Sequence, residues 1–413
     1  MTTTALKTST FYPFEREPIP DSCWSLTAGP DGRIYAASCC ERIPGGGVYV
    51  LRYDDETDSL ETVIDVAQAT GEPLDSGRAT QCKIHYSFAA SEGDGILYAA
   101  THLSAPGLGQ SRYSPWADWK DERRAFPHST LVAYDTRRDE VLWGGPFIPR
   151  EGCRCLALDE RRGRLYAVSY PRDHFWVYDL QTRAIRDLGR LGSVNSQAIF
   201  TDRRGRVFTS NCSGQIVRYD PDADRLEELP VRVPHEPRKS GWHDVLYDVV
   251  ASPEGDCVYG VPWNSDPHLL RYWPEDGPHG RMENLGAVHQ RRDPTAAVCF
   301  YLDHCGGLVF GADGALYFVI TRWPEGMESS SPLRHDMTSE SLLVRMDVRT
   351  LEKTDFARIE KPGAMGHYVS RAGRDRWGNL FFGHVTRPLP TGISRLEMDA
   401  EGDNLHLPLR TWG

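Results

Sequence analysis

The residues of this chain best suited to chemistry are histidines at a repeated spacing. His85 and His102 stand 17 residues apart, and so do His367 and His384. Both segments begin His-Tyr: HYSFAASEGDGILYAATH and HYVSRAGRDRWGNLFFGH. Each pair brackets a turn glycine. Gly95 lies ten residues after His85 and seven before His102, whereas Gly378 lies eleven after His367 and six before His384. His304 stands ten residues before a third such glycine, Gly314. Neutral imidazole is the commonest metal-binding side chain and suits zinc, manganese, iron and copper. Three or four imidazoles whose nitrogens converge within about 2.0–2.2 Å of one point would form a catalytic metal site with an open position. His85, His102, His304, His367 and His384 are therefore the expected ligands. The plainer alternative is that each histidine caps a strand end and hydrogen-bonds its neighbour.

Acid–base and anion-binding groups lie close to these positions. Lys83 precedes His85 by two residues, so both project from one side of a strand. A lysine beside a metal or arginines can lose its proton readily and act as a base. His243, with Asp244 beside it, is a second candidate base, and Tyr247, Tyr86 and Tyr368 are candidate proton donors. Arg371 lies four residues after His367 and is expected to point along an axial channel and clamp a carboxylate through two bonds. Arg42, Arg154, Arg172, Arg322 and Arg387 fall near the same face and suit an anionic small substrate. Pairing with the abundant Asp and Glu is the plainer reading of those arginines. Cys39, Cys40 and Cys82 lie near the same face too, either as soft ligands or reactive thiols or as packing residues.

The elements that must hold these groups are repeated. Seven copies of one strand pattern run along the chain: DGRIYAAS (31–38), DGILYAAT (94–101), RGRLYAVS (162–169), RGRVFTSN (204–211), GDCVYGVP (255–262), DGALYFVI (313–320) and WGNLFFGH (377–384). They are spaced 42 to 68 residues apart. Each follows a short apolar segment and precedes a third strand ending in an Asp/Gly turn. Alternating β-branched and aromatic residues between such turns read as antiparallel strands. A closed ring of such units leaves few exposed sheet edges. The pattern predicts an all-β, seven-bladed β-propeller of four-stranded antiparallel blades in one domain. The blades are expected at about 15–70, 80–150, 151–190, 193–230, 240–287, 297–358 and 364–413. The last unit is expected to hold four strands of its own, ending at Leu405–Leu409; the alternative is that Ala5–Phe14 supplies or extends an outer strand.

Aligned on the turn glycine, the start of each first strand and the end of each second strand meet on one face. The first slot holds Ser22, His85, Cys153, Asn195, Leu246, His304 and His367. The second holds Cys39, His102, Tyr170, Cys212, Trp263, Thr321 and His384. Two long insertions, Leu103–His128 and Arg322–Glu340, fall on the same face. Loops of that length are commonly lids. Trp116, Trp119, Trp323 and Tyr113 offer flat surfaces for a sugar ring or planar ligand; anchoring of the loops is the alternative.

Composition limits the remaining possibilities. The chain has 413 residues, 40% hydrophobic and 25% charged, and a net charge of -11. No basic stripe marks a nucleic-acid binder, and no apolar run approaches the roughly 18 residues of a membrane span. The first residues lack a signal-peptide pattern, so the expected compartment is the cytoplasm. No GxSxG, P-loop or GxGxxG motif opening a helix occurs.

The chain resembles the seven-bladed propeller superfamily along its length. The histidine pattern is similar to cytoplasmic oligogalacturonate lyases and streptogramin-opening lyases, which are also propellers with metal- and His-based sites. That resemblance implies a metal-dependent lyase. A divalent ion (manganese, calcium or zinc) and arginines would bind a uronate or natural-product carboxylate, and Lys83, His243 or a tyrosine would take the adjacent proton before β-elimination. No residue role is carried over from those families. One alternative is a His-ligated iron or copper redox enzyme like the carotenoid-cleavage oxygenases. Another is a non-catalytic binding propeller, although repeated WD dipeptides are absent. The expected partner is a small anionic substrate, with neither nucleic acid nor membrane.

Overall fold

The computed structural model describes residues 6–41, 43–102, 104–105, 121–192, 197–234, 245–263, 267–288, 305–322, 340–361, 369–385 and 390–398. Its strands form seven four-stranded antiparallel units. In blade 1 the strands are Leu26–Ala28, Ile34–Cys39, Val48–Asp54 and Ser59–Asp65. Blade 2 comprises Ile84–Ser91, Ile96–Thr101, His128–Asp135 and Glu140–Pro149, and blade 3 Gly152–Asp159, Arg164–Tyr170, His174–Asp179 and Ile185–Arg190. Blade 4 has Phe200–Thr201, Val207–Ser210, Gln215–Asp220 and Arg225–Arg232, and blade 5 Leu246–Ala251, Val258–Pro262, His268–Trp273 and Arg281–Ala287. Blade 6 has Cys305–Phe310, Leu316–Arg322, Glu340–Met346 and Lys353–Arg358. Blade 7 begins with Val369–Arg374, Leu380–His384 and Gly392–Leu396.

The repeated motif is the second strand of each blade. Its composition follows from its surroundings, because each blade is covered on both faces by its neighbours. In blade 3, Leu165 and Ala167 pack toward blade 2 with Leu131 and Phe147. Tyr166 and Val168 pack the other way, with Val207 and Tyr219 of blade 4. A strand buried on both faces needs apolar or small residues at every position. An outer strand such as Ser59–Asp65 is instead mostly exposed or half-buried, with only Ile64 fully buried.

The ring closes differently from the first expectation. The fourth strand of blade 7 comes from the N-terminus: Thr10–Pro13 pairs antiparallel with Gly392–Leu396, Tyr12 opposite Ile393. Lys7–Thr8 adds a parallel strand to the outside of blade 6, with Lys7 opposite Ala357. The N-terminal segment thus staples blade 6 to blade 7 and shields two edges. Leu405–Leu409 lies outside the described residues. Phe14 anchors the staple; it is 1% exposed and packs with Cys23, Leu26, Phe381 and Ile393. Phe14→Ala is expected to cost about 3–5 kcal/mol, measured by denaturant unfolding. A loss under about 1 kcal/mol would mean that the staple contributes little.

The stem of the blade 2 insertion is also built into the fold. Ser104–Ala105 pairs with Thr80–Gln81, and Ala79 bridges Ala125. Beneath it lies Glu72, buried, with Oε2 lacking a hydrogen-bond partner and Oε1 3.6 Å from His128 Nδ1. Burial pushes the Glu72 carboxyl up to about 7, against opposing effects of Gln81 and Arg78. Burial also holds the His128 imidazole below its ordinary value, so it is a poor counter-charge. The folded state therefore binds the Glu72 proton more tightly than the unfolded chain does. The resulting stability is complete below the unfolded carboxyl value of about 4.3 and is lost as pH rises through 7. Glu72→Gln is expected to be more stable than the parent at pH 8, by of order 3 kcal/mol, and nearly equal to it at pH 4. Unfolding midpoints at the two pH values check this; equal differences at both would rule it out.

Among the described residues, no helix is long and apolar enough to cross a membrane.

Candidate functional site

The innermost strands of all seven blades surround a central channel. Its upper mouth, where those strands begin, carries a cluster from blades 1, 2 and 3. His85 starts the first strand of blade 2, and His102 follows the second. Their rings stack with centroids 4.9 Å apart. Trp24 of blade 1 stacks on the other face of His85 at 4.9 Å, and Tyr170 of blade 3 lies 4.5 Å from His102. Gly152 makes this layering possible, since a Cβ there would collide with the His102 carbonyl oxygen.

Two cations flank the imidazoles. Arg154 Nη1 donates to His85 Nε2 at 3.0 Å, which leaves the His85 proton on Nδ1. The Arg154 guanidinium also lies 4.4 Å over the Tyr170 ring. Lys83 Nζ sits 4.0 Å over the Trp24 ring and 3.1 Å from Glu41 Oε1. Glu41 is held in turn by Trp24 Nε1, which donates to Oε2 at 3.1 Å. Burial, then Arg154 and Lys83, keep both histidines well below their ordinary value, so both are neutral. Burial also lowers Lys83, and Glu41 opposes that shift.

Below this layer the channel is plugged. The Tyr86 and Tyr247 hydroxyls meet at 2.5 Å, joining blade 2 to blade 5. Arg371 from blade 7 lies on Tyr86, 3.4 Å from the ring centroid. It donates to the carbonyls of Tyr247 (2.9 Å), Ser370 (3.0 Å) and Gln197 (3.3 Å). Its Nη1 is 3.3 Å from Asp248 Oδ1. Asp248 is 2% exposed and accepts from the Val249 and Leu308 backbone N–H groups. The carboxylate that Arg371 clamps is thus the protein's own. This corrects the expectation of a free channel arginine: its donors tie blades 4, 5 and 7 together. Tyr247 likewise serves the plug.

The remaining expected residues divide into three groups. His384 is placed apart from the pair. Its Nε2 is 2.7 Å from Ser394 Oγ, and its ring meets Phe11 edge-on at 5.6 Å. The cause is parity. His102 is seven residues from its turn glycine and His384 six, and side chains alternate faces with period two. His102 therefore faces blade 3, whereas His384 faces blade 6. Arg172 is an exposed rim residue paired with Glu151. Cys39, Cys40 and Cys82 are buried, and burial raises all three thiols, Cys39 and Cys40 to about 12, so they are packing residues. His243, His304, His367, Arg42, Trp116, Trp119, Trp323 and Tyr368 lie outside the described residues, as does the Arg322 side chain. Sequence reasoning passed over Trp24, Glu41 and Asp248. Each follows or precedes a slot residue by two, the only signal that would have marked them.

The donors needed for a metal are partly present. His102 Nδ1 and Nε2 are buried without hydrogen-bond partners, so one of them offers a lone pair, whereas His85 carries its proton on Nδ1 and its lone pair on Nε2 is taken by Arg154. The His102 ring fits an imidazole-bound ion such as zinc or manganese better than calcium, which prefers oxygen. Among the described residues, no group of three or more His, Cys, Asp or Glu side chains is placed to share an ion. His304 and His367, the other ligands expected from sequence on this side of the ring, lie outside the described residues.

No family model matches the chain, and no curated protein matches it. Similar solved structures do exist. The extracellular domain of a putative one component system, BT4673 of B. thetaiotaomicron, is 13% identical with a TM-score of 0.58 over 96% of this chain. This chain spans only 41% of that one. The RRP9 WD40 repeats are 9% identical with a TM-score of 0.57, covering 95% of this chain and 98% of theirs. Kuenenia stuttgartiensis hydrazine synthase is 13% identical with a TM-score of 0.52, covering 92% and 95%. At such identities the likeness is one of fold, and fold does not fix function. Together with the seven four-stranded units, it identifies the chain as a β-propeller.

Proposed function

We propose that the chain is an enzyme that binds a small carboxylate-bearing substrate at the upper mouth of the channel and removes the proton next to that carboxylate, with β-elimination as the outcome. The observation that carries this reading is the pair of buried, neutral imidazoles held between Lys83 and Arg154. Arg154 makes the upper mouth attractive to an anion, and the low dielectric strengthens that attraction; Lys83, which burial lowers, acts in its neutral form. Arg154 is positioned for the carboxylate by its Tyr170 and His85 contacts. Lys83, held over Trp24 by Glu41, is the group to accept the proton. A divalent metal held by His102, with His304 and His367 as proposed additional ligands and His85 joining them only when Arg154 gives up its Nε2, would polarise the substrate carboxylate and acidify the adjacent C–H.

The test is to offer uronate-containing oligosaccharides to metal-replete and chelator-treated protein, and to follow the ultraviolet absorbance of an unsaturated product. Elemental analysis of the same preparations separates zinc or manganese from iron or copper. Absorbance growth that depends on the metal is expected. Turnover unaffected by alanine at both His85 and His102 would place the chemistry elsewhere.

A further inference from the structure

The two ends of the blade 2 insertion meet over one buried carboxyl. The insertion leaves blade 2 through Ser104–Ala105, two residues after His102, and Ala105 pairs with Thr80. It returns through Ala125, which bridges Ala79, to His128, where the third strand begins. Ala79 N–H donates to the Arg124 carbonyl at 2.6 Å. Gln81 ties both sides: its Nε2 donates to the His128 carbonyl at 2.9 Å, and its Oε1 accepts from Thr101 Oγ1 at 2.7 Å. Glu72 is packed beneath this knot at 7% exposure, with Oε2 lacking a hydrogen-bond partner. The groups that face it do not balance a charge. From the third strand comes the His128 ring, with Nδ1 3.6 Å from Oε1 and 3.1 Å from the Ser129 carbonyl oxygen, and burial keeps that ring below its ordinary value. From Thr80–Gln81 comes an amide. Arg78 acts on Glu72 through charge alone, and its guanidinium lies 5.1 Å from the Phe126 ring centroid. At the exit of the insertion Asp121 pairs with Arg123, and Glu122 with Arg150. As a neutral acid Glu72 suits this place. As a carboxylate it is a buried charge with no donor to Oε2, which favours any opening that brings water to it.

We infer that Glu72 is a pH-sensitive latch for the insertion: as the acid it seats both ends on blade 2, and as the carboxylate it turns to water and releases them. Burial pushes the Glu72 carboxyl up to about 7. The seated form is therefore favoured below that pH, and opening grows as pH rises toward and through it. The device is local, since the ties that part are those of Ala79, Gln81 and His128. Ser104 follows His102 by two residues, so release loosens the edge of the upper mouth. The latch is independent of the reaction proposed there.

Amide hydrogen exchange of the unmodified protein at pH 6 and pH 8 tests this, with each rate corrected for its intrinsic rise with pH. An opening that returns Glu72 to the ordinary carboxyl value of about 4.3 should become about tenfold more frequent over that interval. The Ala79 amide, bonded across the stem to Arg124, is expected to lose about tenfold in protection. Amides of the blade 4 strand Val207–Ser210 are expected to change less than twofold. In Glu72→Gln, which keeps the shape and cannot ionise, Ala79 protection is expected to be equal at the two pH values within twofold. Unchanged Ala79 protection in the unmodified protein would overturn the inference without use of any variant. An equal loss in blade 4 would make the opening global, and a loss that persists in Glu72→Gln would place the switch on another group; either result would also overturn it.

Discussion

Lys83→Met is expected to lower turnover of a uronate substrate by about 10²–10⁴-fold, the usual contribution of a positioned acid–base group, while leaving the fold intact. Methionine keeps most of the stem that lies on Trp24 and loses only the ammonium. The partner left behind, Glu41, is 19% exposed and can reach water, so the stability penalty is smaller than for a fully buried pair. Circular dichroism and the unfolding midpoint should therefore change little while kcat collapses. The pH profile separates a base from a mere binding group. Burial lowers Lys83, so kcat/KM should rise with pH and level off below the ordinary lysine value of about 10.4. That limb should vanish in the variant. If Lys83→Met instead raises KM with kcat unchanged, Lys83 binds substrate and does not take the proton.

Arg371→Leu is expected to be the most destabilising single change at the channel, by about 3–5 kcal/mol. It removes three bonds to carbonyls on blades 4, 5 and 7 and leaves Asp248 buried without its cation. Burial already raises the Asp248 carboxyl, and Arg371 is the largest opposing influence. Without Arg371 the carboxyl rises further. A folded carboxyl above its unfolded value favours folding at low pH, and that advantage is lost as pH rises through it. The deficit of Arg371→Leu should therefore be smaller at acidic than at neutral pH. Adding Asp248→Asn should recover part of it, incompletely because the amide cannot accept from both the Val249 and Leu308 N–H groups. A double-mutant cycle in denaturant gives the coupling. Unchanged stability with lost turnover would restore the substrate-clamp role expected from sequence.

Much of the architecture was legible because propeller blades repeat under one constraint. A second strand covered on both faces must be apolar or small at every position, and its turn requires a glycine, so seven similar strings mark seven strands. The closure was harder to read. Both chain ends carry short alternating segments, and only the register of Tyr12 opposite Ile393 decides which one completes blade 7. At the site, spacing put Lys83, His85 and His102 beside one another, but the equation of His102 with His384 gave no weight to a one-residue difference that reverses a side chain. Arg371 was misread for another reason. Its partner Asp248 lies 123 residues away in sequence, and no local pattern reveals a contact across the channel. Trp24 and Glu41 were passed over because they occur once each and belong to no repeat.

The most direct test of the central claim is an imidazole ¹⁵N spectrum at pH 6 while galacturonate is titrated in. The account predicts that His85 and His102 are neutral before addition, with His85 protonated on Nδ1, and that both signals move together and saturate as the sugar acid binds. Protonated imidazoles in the free protein, or galacturonate binding that moves neither signal, would contradict an anion site built around these two histidines.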